Sequence, residues 1–243
     1  MGILRTKTIE PATGSTLTLG ASGDTITVSS DSIKANTFKD AGGNTLFTSD
    51  GAGTLSSVNS GLAGGGYTLL ETADVDGASV TWARFTTLHT RGYDELVFVF
   101  TDVNPDNDGV EYQVNFSIDG GANYLAPKTT TFFFAEHGEN GSGAAVAYQT
   151  ARDLANATGW QDLGVDLGNG ADECCAGILH LFNPASTTYV KHFYATVSEY
   201  HQNNLAGTCY VSGYLNTTSV ITDIALACNS GAHKAYVQMY GIE

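Results

Sequence analysis

The residues best spaced to hold a metal form the string Asp102-Val-Asn104-Pro-Asp106-Asn-Asp108-Gly109-Val-Glu111. Oxygen-bearing side chains recur at alternate positions, as a calcium loop requires. Read from Asn104, Gly109 falls at the sixth position of an EF-hand, but Asn115 stands where that loop needs a bidentate glutamate. The same residues make a Pro-Asp-Asn-Asp-Gly turn between two strands, each with its own local reason to be there. The turn reading takes precedence. No metal is assigned, and Asp102, Asn104, Asp106, Asp108 and Glu111 are the residues that a calcium ion would use.

His180, His192 and His201 fall with Cys174, Cys175 and Cys209 in the C-terminal part, where soft ligands could converge. Nothing in the spacing requires it, because no Cys-x-x-Cys pair exists and Cys174 and Cys175 are adjacent. With Cys228, the cysteines read as small buried hydrophobes. Each histidine reads as a hydrogen-bonded structural residue, and His192 should point away from the face shared by Lys191, Phe193, Ala195 and Val197.

Signatures of hydrolases, P-loops and dinucleotide sites are missing. The carboxylate pairs Asp106 with Asp108 and Asp172 with Glu173 are too ordinary to nominate a glycosidase. No catalytic residue is assigned, no cofactor is implied, and the expectation is a protein that is not an enzyme. The remaining chemistry is recognition. Tyr112, Tyr124, Tyr148, Tyr194, Tyr200, Tyr210, Tyr214, Trp82 and Trp160 mix with Asn, Gln and Asp, the set that binds sugars by stacking and hydrogen bonding. Taken singly, each reads first as the amphipathic margin of a β core, and no binding residue is assigned.

The chain that must position these residues has 243 of them, with 14% charged, 42% hydrophobic and 29 glycines. Long charged or Ala/Leu-rich helical faces are missing, while Thr, Val, Tyr and Phe suit pleated strands. A net charge of -15 with only ten basic residues argues against nucleic acid. No segment approaches the ~20 apolar residues of a membrane span, and the N-terminus lacks the apolar run of a signal peptide, so assembly from the cytoplasm is expected.

Residues 1–60 differ from the rest: Phe38 and Phe47 are their only aromatics, and they contain no His, Cys, Trp or Tyr. Their net charge is -1, against -14 for the other 183 residues. Short alternating runs recur at Thr16–Leu19, Thr25–Val28, Thr37–Lys39, Thr45–Thr48 and Thr54–Val58, between Gly-centred turns. Strands this thin cannot bury enough apolar surface to offset ~1 to 2 kcal/mol of backbone entropy per residue. They are expected to fold by meeting identical edges around a symmetry axis, as an intertwined homotrimeric stem. Residues 61–66 are a Gly-rich hinge, and residues 67–243 a head.

The head reads as strand after strand: Tyr67–Val75, Ser79–Thr87, Glu95–Val103, Val110–Asp119, Lys128–Glu136, Ala145–Thr150, Glu173–Asn183, Tyr189–His201, Thr208–Leu215, Ile221–Cys228 and Lys234–Gly241. That spacing predicts an antiparallel, jelly-roll-like β-sandwich. Val110 to Asp119 alternates, with Glu111, Gln113, Asn115 and Ser117 on a wet face. Leu96 to Phe100 is apolar throughout and belongs in the middle, buried on both sides. Arg152 to Ala157 is the one helical candidate, and Glu136–Ala144 and Asn203–Gly207 are candidate loop tips.

Two stretches carry a resemblance. Thr8 to Val28 resembles stem segments of structural proteins from tailed phages of cyanobacteria and other marine bacteria. Lys128–Phe134, Leu181–His192, Gly213–Thr218 and Met239–Ile242 are similar to C-terminal domains of phage fibre and appendage proteins. The resemblance implies a homotrimeric virion component whose N-terminal part anchors and whose head faces outward. The expectation is a short fibre or spike docked to other virion proteins through residues 1–60, with the head contacting host surface polysaccharide. No site residue is carried across. A capsid decoration protein that stabilises the shell and a virion-associated polysaccharide depolymerase are the alternatives, and neither nucleic acid nor membrane insertion is expected.

Overall fold

The computed structural model describes residues 37–40, 42–49, 51–52, 55–58, 66–77 and 81–242. The chain divides into two units, Met1–Ala63 and Gly64–Glu243.

In the first unit, β1 (Thr37–Lys39), β2 (Thr45–Ser49) and β3 (Leu55–Val58) form a three-stranded antiparallel meander. All three lie where alternating runs were expected. Phe38 and Phe47 pair in register and stack with ring centroids 4.5 Å apart. Asp40 closes the β1–β2 turn by accepting from the backbone and side-chain amides of Asn44, which hold its carboxyl below the usual range. The expected strands Thr16–Leu19 and Thr25–Val28, and the hinge other than Gly66, lie outside the described residues.

The second unit is all-β. Its strands are β4 (Thr68–Val75), β5 (Ala83–Phe85), β6 (Glu95–Pro105), β7 (Val110–Ser117), β8 (Lys128–Gly138) and β9 (Ala145–Tyr148), followed by β10 (Gln161–Leu167), β11 (Cys175–Phe182), β12 (Lys191–His201), β13 (Leu205–Leu215), β14 (Asp223–Cys228) and β15 (His233–Ile242). Every pairing is antiparallel. Eight strands run in the order β9-β8-β13-β12-β11-β6-β15-β4, and four in the order β10-β7-β14-β5. A single pair, Leu167 with His201, joins the two runs, so the sheet curls nearly into a barrel.

Aromatic pairs lock the inward faces of the two runs together: Phe85 with Phe98, Phe100 with Tyr112, and Phe116 with Phe193, at 5.2 to 5.3 Å. As expected, β6 is central, lying between β15 and β11. On the outer face of the eight-stranded run, register aligns Tyr148, Phe133, Tyr210, Thr196, Ile178, Val99, Gln238 and Thr72 in one row. Thr131, Ser212, Tyr194, His180, Val97, Tyr240 and Leu69 form the next. Neither row contains Asp, Glu, Lys or Arg, in a chain with 25 acidic residues.

Five points of the sequence reading are corrected. Gln161–Leu167 is a strand that hydrophobic patterning misses, because Gly164 sits at its centre between Asp162 and Asp166; that glycine makes room for an inward carboxyl, as a Cβ there would come within 3.0 Å of Glu199 Oε2. Arg152–Ala157 is not helical, because its backbone is taken by β8: Lys128 and Ala157 exchange both hydrogen bonds, and Thr130 N–H donates to Leu154. The wet face of β7 is wet only at Glu111 and Gln113. Asn115 and Ser117 are wholly buried, Asn115 beneath Lys128 and the 158–160 segment and Ser117 beneath the 118–123 loop. The expected strand Ser79–Thr87 is reduced to β5, with a 3-10 turn at Leu88–Thr90 and residues 78–80 outside the described residues. The expected tip Asn203–Gly207 is mostly strand, leaving a tight turn with Asn204 at φ 57°. Among the described residues no helix is long and apolar enough to cross a membrane.

Candidate functional site

The four-stranded run positions an aromatic pocket. Trp82 and Arg84 stand two residues apart at edge strand β5, so they project to the same side. Arg84 pairs in register with Ala225 of β14, and Ala225 with Asn115 of β7. Gln161 pairs with Val114, which brings Trp160 beside that same row. Ala225 itself is wholly buried, and the loop after β7 brings in Tyr124. Trp82 and Trp160 meet edge to face at 5.1 Å, and Trp82 and Tyr124 at 6.0 Å. The Arg84 guanidinium carbon lies 4.4 Å from the Trp82 ring and 5.8 Å from the Tyr124 ring. With Gly121, Ala122, Asn123 and Leu125 these side chains line a pocket of about 490 Å³. The chain has two tryptophans, and both are in it.

The walls are fixed from behind. Lys128 is wholly buried, and its ammonium donates to Asn115 Oδ1 at 2.8 Å, Gly159 O at 2.6 Å and Ala126 O at 3.2 Å. Those contacts pin the residues preceding Trp160 and following Leu125. No carboxylate accompanies this lysine, and burial pulls it down to about 7. Gln161, also buried, donates to Arg152 O and accepts from Thr130 Oγ1. On the Tyr124 side, Asp119 accepts from Ser117 Oγ, Asn123 N–H and the Asn123 amide, which hold its carboxyl down at about 2. Gly120 and Gly121 supply the φ values of 74° and 79° that this loop needs. Beneath Gly121 lies the buried Asp223, with Oδ2 unpartnered. Burial pushes the Tyr124 phenol up, which keeps it a neutral hydroxyl. The pocket thus offers rings for stacking, hydroxyl and amide groups for hydrogen bonds, and a guanidinium.

A second polar region lies where the two strand runs join. Arg152 donates to Glu111 and Asp162, both at 3.0 Å, and to Asp166 at 3.4 Å. His201 approaches Asp166 at 3.8 Å. Nearby, Glu199 points inward from β12 into the space left by Gly164 and Gly207 and accepts the Val165 N–H at 2.8 Å. Burial pushes its carboxyl up to about 7 and raises that of Asp162. The enclosed space here is small, about 120 Å³.

The remaining sequence candidates are scattered. Asp102 to Glu111 spans the connection from β6 to β7, which lie in different strand runs, with Gly109 at φ 70°. Asn104 turns its amide nitrogen to the Gly170 and Glu173 carbonyls, and Glu111 is engaged by Arg152 and Asn229. Among the described residues no three His, Cys, Asp or Glu side chains gather as a metal would need. The four cysteines are free thiols, with Cys175 and Cys209 buried. His180 pairs with Glu95 at 2.5 Å and stacks on Tyr194, while His192 faces outward as expected.

Of the nine aromatics singled out in the sequence, the structure brings Trp82, Trp160 and Tyr124 together. Tyr112 is core, and Tyr194, Tyr210 and Tyr214 belong to the outer face of the eight-stranded run. Sequence reasoning misses Arg84, Lys128, Arg152 and Glu199. The spacing Trp82-Ala83-Arg84 on a strand was the available signal for the first. No protein-family model matches the chain, and no curated protein or solved structure matches it.

Proposed function

We propose that this chain is a non-enzymatic structural protein of a phage particle, a short trimeric fibre or spike with a jelly-roll-like head displayed for attachment to host surface glycan. The observation that carries the binding role is the convergence of both tryptophans, Tyr124 and an arginine without an ion pair among the described residues in one pocket. Sugar rings present C–H faces to such aromatics and hydroxyls to the donors and acceptors around them. The virion assignment draws on the resemblance of Thr8–Val28 and of the head segments to phage appendage proteins.

Self-association has two supports. β1 and β2 have no wholly buried side chain, so these strands gain little from packing within one chain. The outer face of the eight-stranded run exposes Tyr148, Tyr194, Tyr210 and Phe133 in two rows that contain no Asp, Glu, Lys or Arg. A second copy of an acidic chain approaches most easily on a surface poor in carboxylates, and the one beside these rows, Glu95, is bound to His180. The same face would suit a decorating clamp between shell subunits, which is the second reading. Against a depolymerase stands the use of carboxylates in the head: Glu111, Asp162 and Asp166 are engaged by Arg152, and Glu199 by the Val165 amide.

Tryptophan fluorescence of the intact protein, titrated with polysaccharide extracted from host envelopes, tests the binding role, with a saturable change expected. An unchanged signal across susceptible strains would remove it. Sedimentation of the intact chain should give a trimer, and a 25.4 kDa species would refute the oligomer.

A further inference from the structure

We infer that the Trp82–Trp160–Tyr124 pocket is selective for acidic saccharides, with Arg84 receiving the carboxylate or sulfate of a sugar whose ring stacks on the aromatics. This rests on the sugar-binding reading above and adds the ligand's charge.

The argument begins with how the chain uses its cations. It has 25 acidic and 10 basic residues, so a cation without a carboxylate partner runs against composition. Three arginines lie among the described residues. Arg91 pairs with Glu71, and Arg152 with Glu111, Asp162 and Asp166. Arg84 has no ion pair or hydrogen bond among the described residues, and its contacts are the Trp82 and Tyr124 rings. A guanidinium lying over an indole uses its face and keeps its N–H edge free. That edge is the planar fork that fits a carboxylate or sulfate bidentately.

Among the described residues no neighbouring group competes with a ligand for Arg84. Lys128, behind Trp160, is held by an amide and two carbonyl oxygens. The nearby carboxylates lie on the Tyr124 side. Asp119 is committed to Ser117 and Asn123, and Asp223 is buried under Gly121. Neither lies within ion-pair distance of Arg84. Arg84 is therefore the group that the acidic substituent of a ligand would meet in this pocket, with the sugar ring against Tyr124 and Trp160.

Because both tryptophans line this pocket, intrinsic fluorescence reports on it without a label. The full chain is titrated with oligogalacturonate, oligoalginate, heparin-derived oligosaccharide and sialyllactose, and in parallel with maltohexaose, cellohexaose and mannohexaose. We expect saturable changes with at least one acidic probe, affinity that falls as sodium chloride rises, and weaker or no response to the neutral set. Arg84→Gln should weaken the acidic probe by about tenfold or more, the scale of a lost charge-assisted hydrogen bond, and Arg84→Lys should recover part of it. Circular dichroism of each variant checks that the exposed substitution leaves the fold intact. Equal binding of neutral and acidic probes, or an unchanged affinity in Arg84→Gln, overturns the acidic preference while leaving a sugar site. Silence with every saccharide overturns both.

Discussion

Arg152 and Arg84 stand in the same head and in opposite circumstances. Arg152 sits where the two strand runs join and donates to three carboxylates drawn from β7 and β10. Arg84 stands on an edge strand, stacked on a tryptophan, and donates to none. In a chain so rich in acid, the first arrangement is the ordinary way to use a scarce cation, because it neutralises carboxylates that burial would otherwise penalise. The second leaves hydrogen-bonding capacity unused at a pocket. The contrast separates a residue that holds the fold from one that is available to a ligand, and each half can be broken by substitution.

The largest effect should come from Arg152→Met. Three carboxylates would then face one another without a cation, with Asp162 already raised by its burial. Arg152's side chain is 22% exposed, so water softens the penalty. We expect a loss of about 3 kcal/mol at pH 7 in urea unfolding, toward the low end for breaking a buried ionic cluster. The loss should shrink near pH 4, where the carboxylates can take protons. A loss that stayed the same in acid would mean that packing of the arginine stem, and not charge, ties the strands together.

Glu199 gives the next effect, through pH. Its folded carboxyl is pushed up to about 7 from an ordinary 4.5. The folded protein therefore holds a proton that the unfolded chain releases, so this contribution is complete below pH 4.5 and is lost as pH rises through 7. Glu199→Gln should remove roughly 2 kcal/mol of this decline between pH 5 and 8. His233 works in the opposite direction: it is buried with both ring nitrogens unpartnered, its pKa is lowered by burial, and its share of stability is lost on acidification below its ordinary 6.5. Urea midpoints of the variant and parent measured across that range separate the two residues. If both proteins declined in parallel above pH 5, Glu199 would not be the group responsible.

These two polar regions differ in how far the sequence announces them. Alternation in β7 and the unbroken apolar run in β6 mark both strands, since each has a simple relation to water. β10 escapes notice because its pattern serves something other than water: Gly164 clears space for Glu199, and Asp162 and Asp166 turn to Arg152. Arg152 to Ala157 suggests a helix by local preference, yet the open edge of β8 claims its backbone. Asn115 and Ser117 follow the polar phase of β7 faithfully and are buried nonetheless, by elements distant in sequence. For the pocket, the aromatic residue types were visible, but the convergence of Trp82 and Trp160, 78 residues apart, follows from the β5-β14-β7-β10 order. Non-local pairing of this kind leaves no local trace.

The smallest effect on stability should be that of Arg84→Gln, and its smallness is informative. Arg84 is exposed, pairs with no carboxylate among the described residues, and shares its register row with alanine. Removing the guanidinium costs its stacking on Trp82, about 0.5 to 1 kcal/mol for an exposed cation–π contact, while glutamine still covers part of the ring. The urea midpoint should therefore move by less than a third of the Arg152→Met shift, with Trp82, Trp160 and Tyr124 still packed edge to face. If Arg84→Gln destabilised the head as much as Arg152→Met does, the guanidinium would be a strut that keeps the rings apart. The pocket would then be a by-product of packing, and the division between the two arginines would fail.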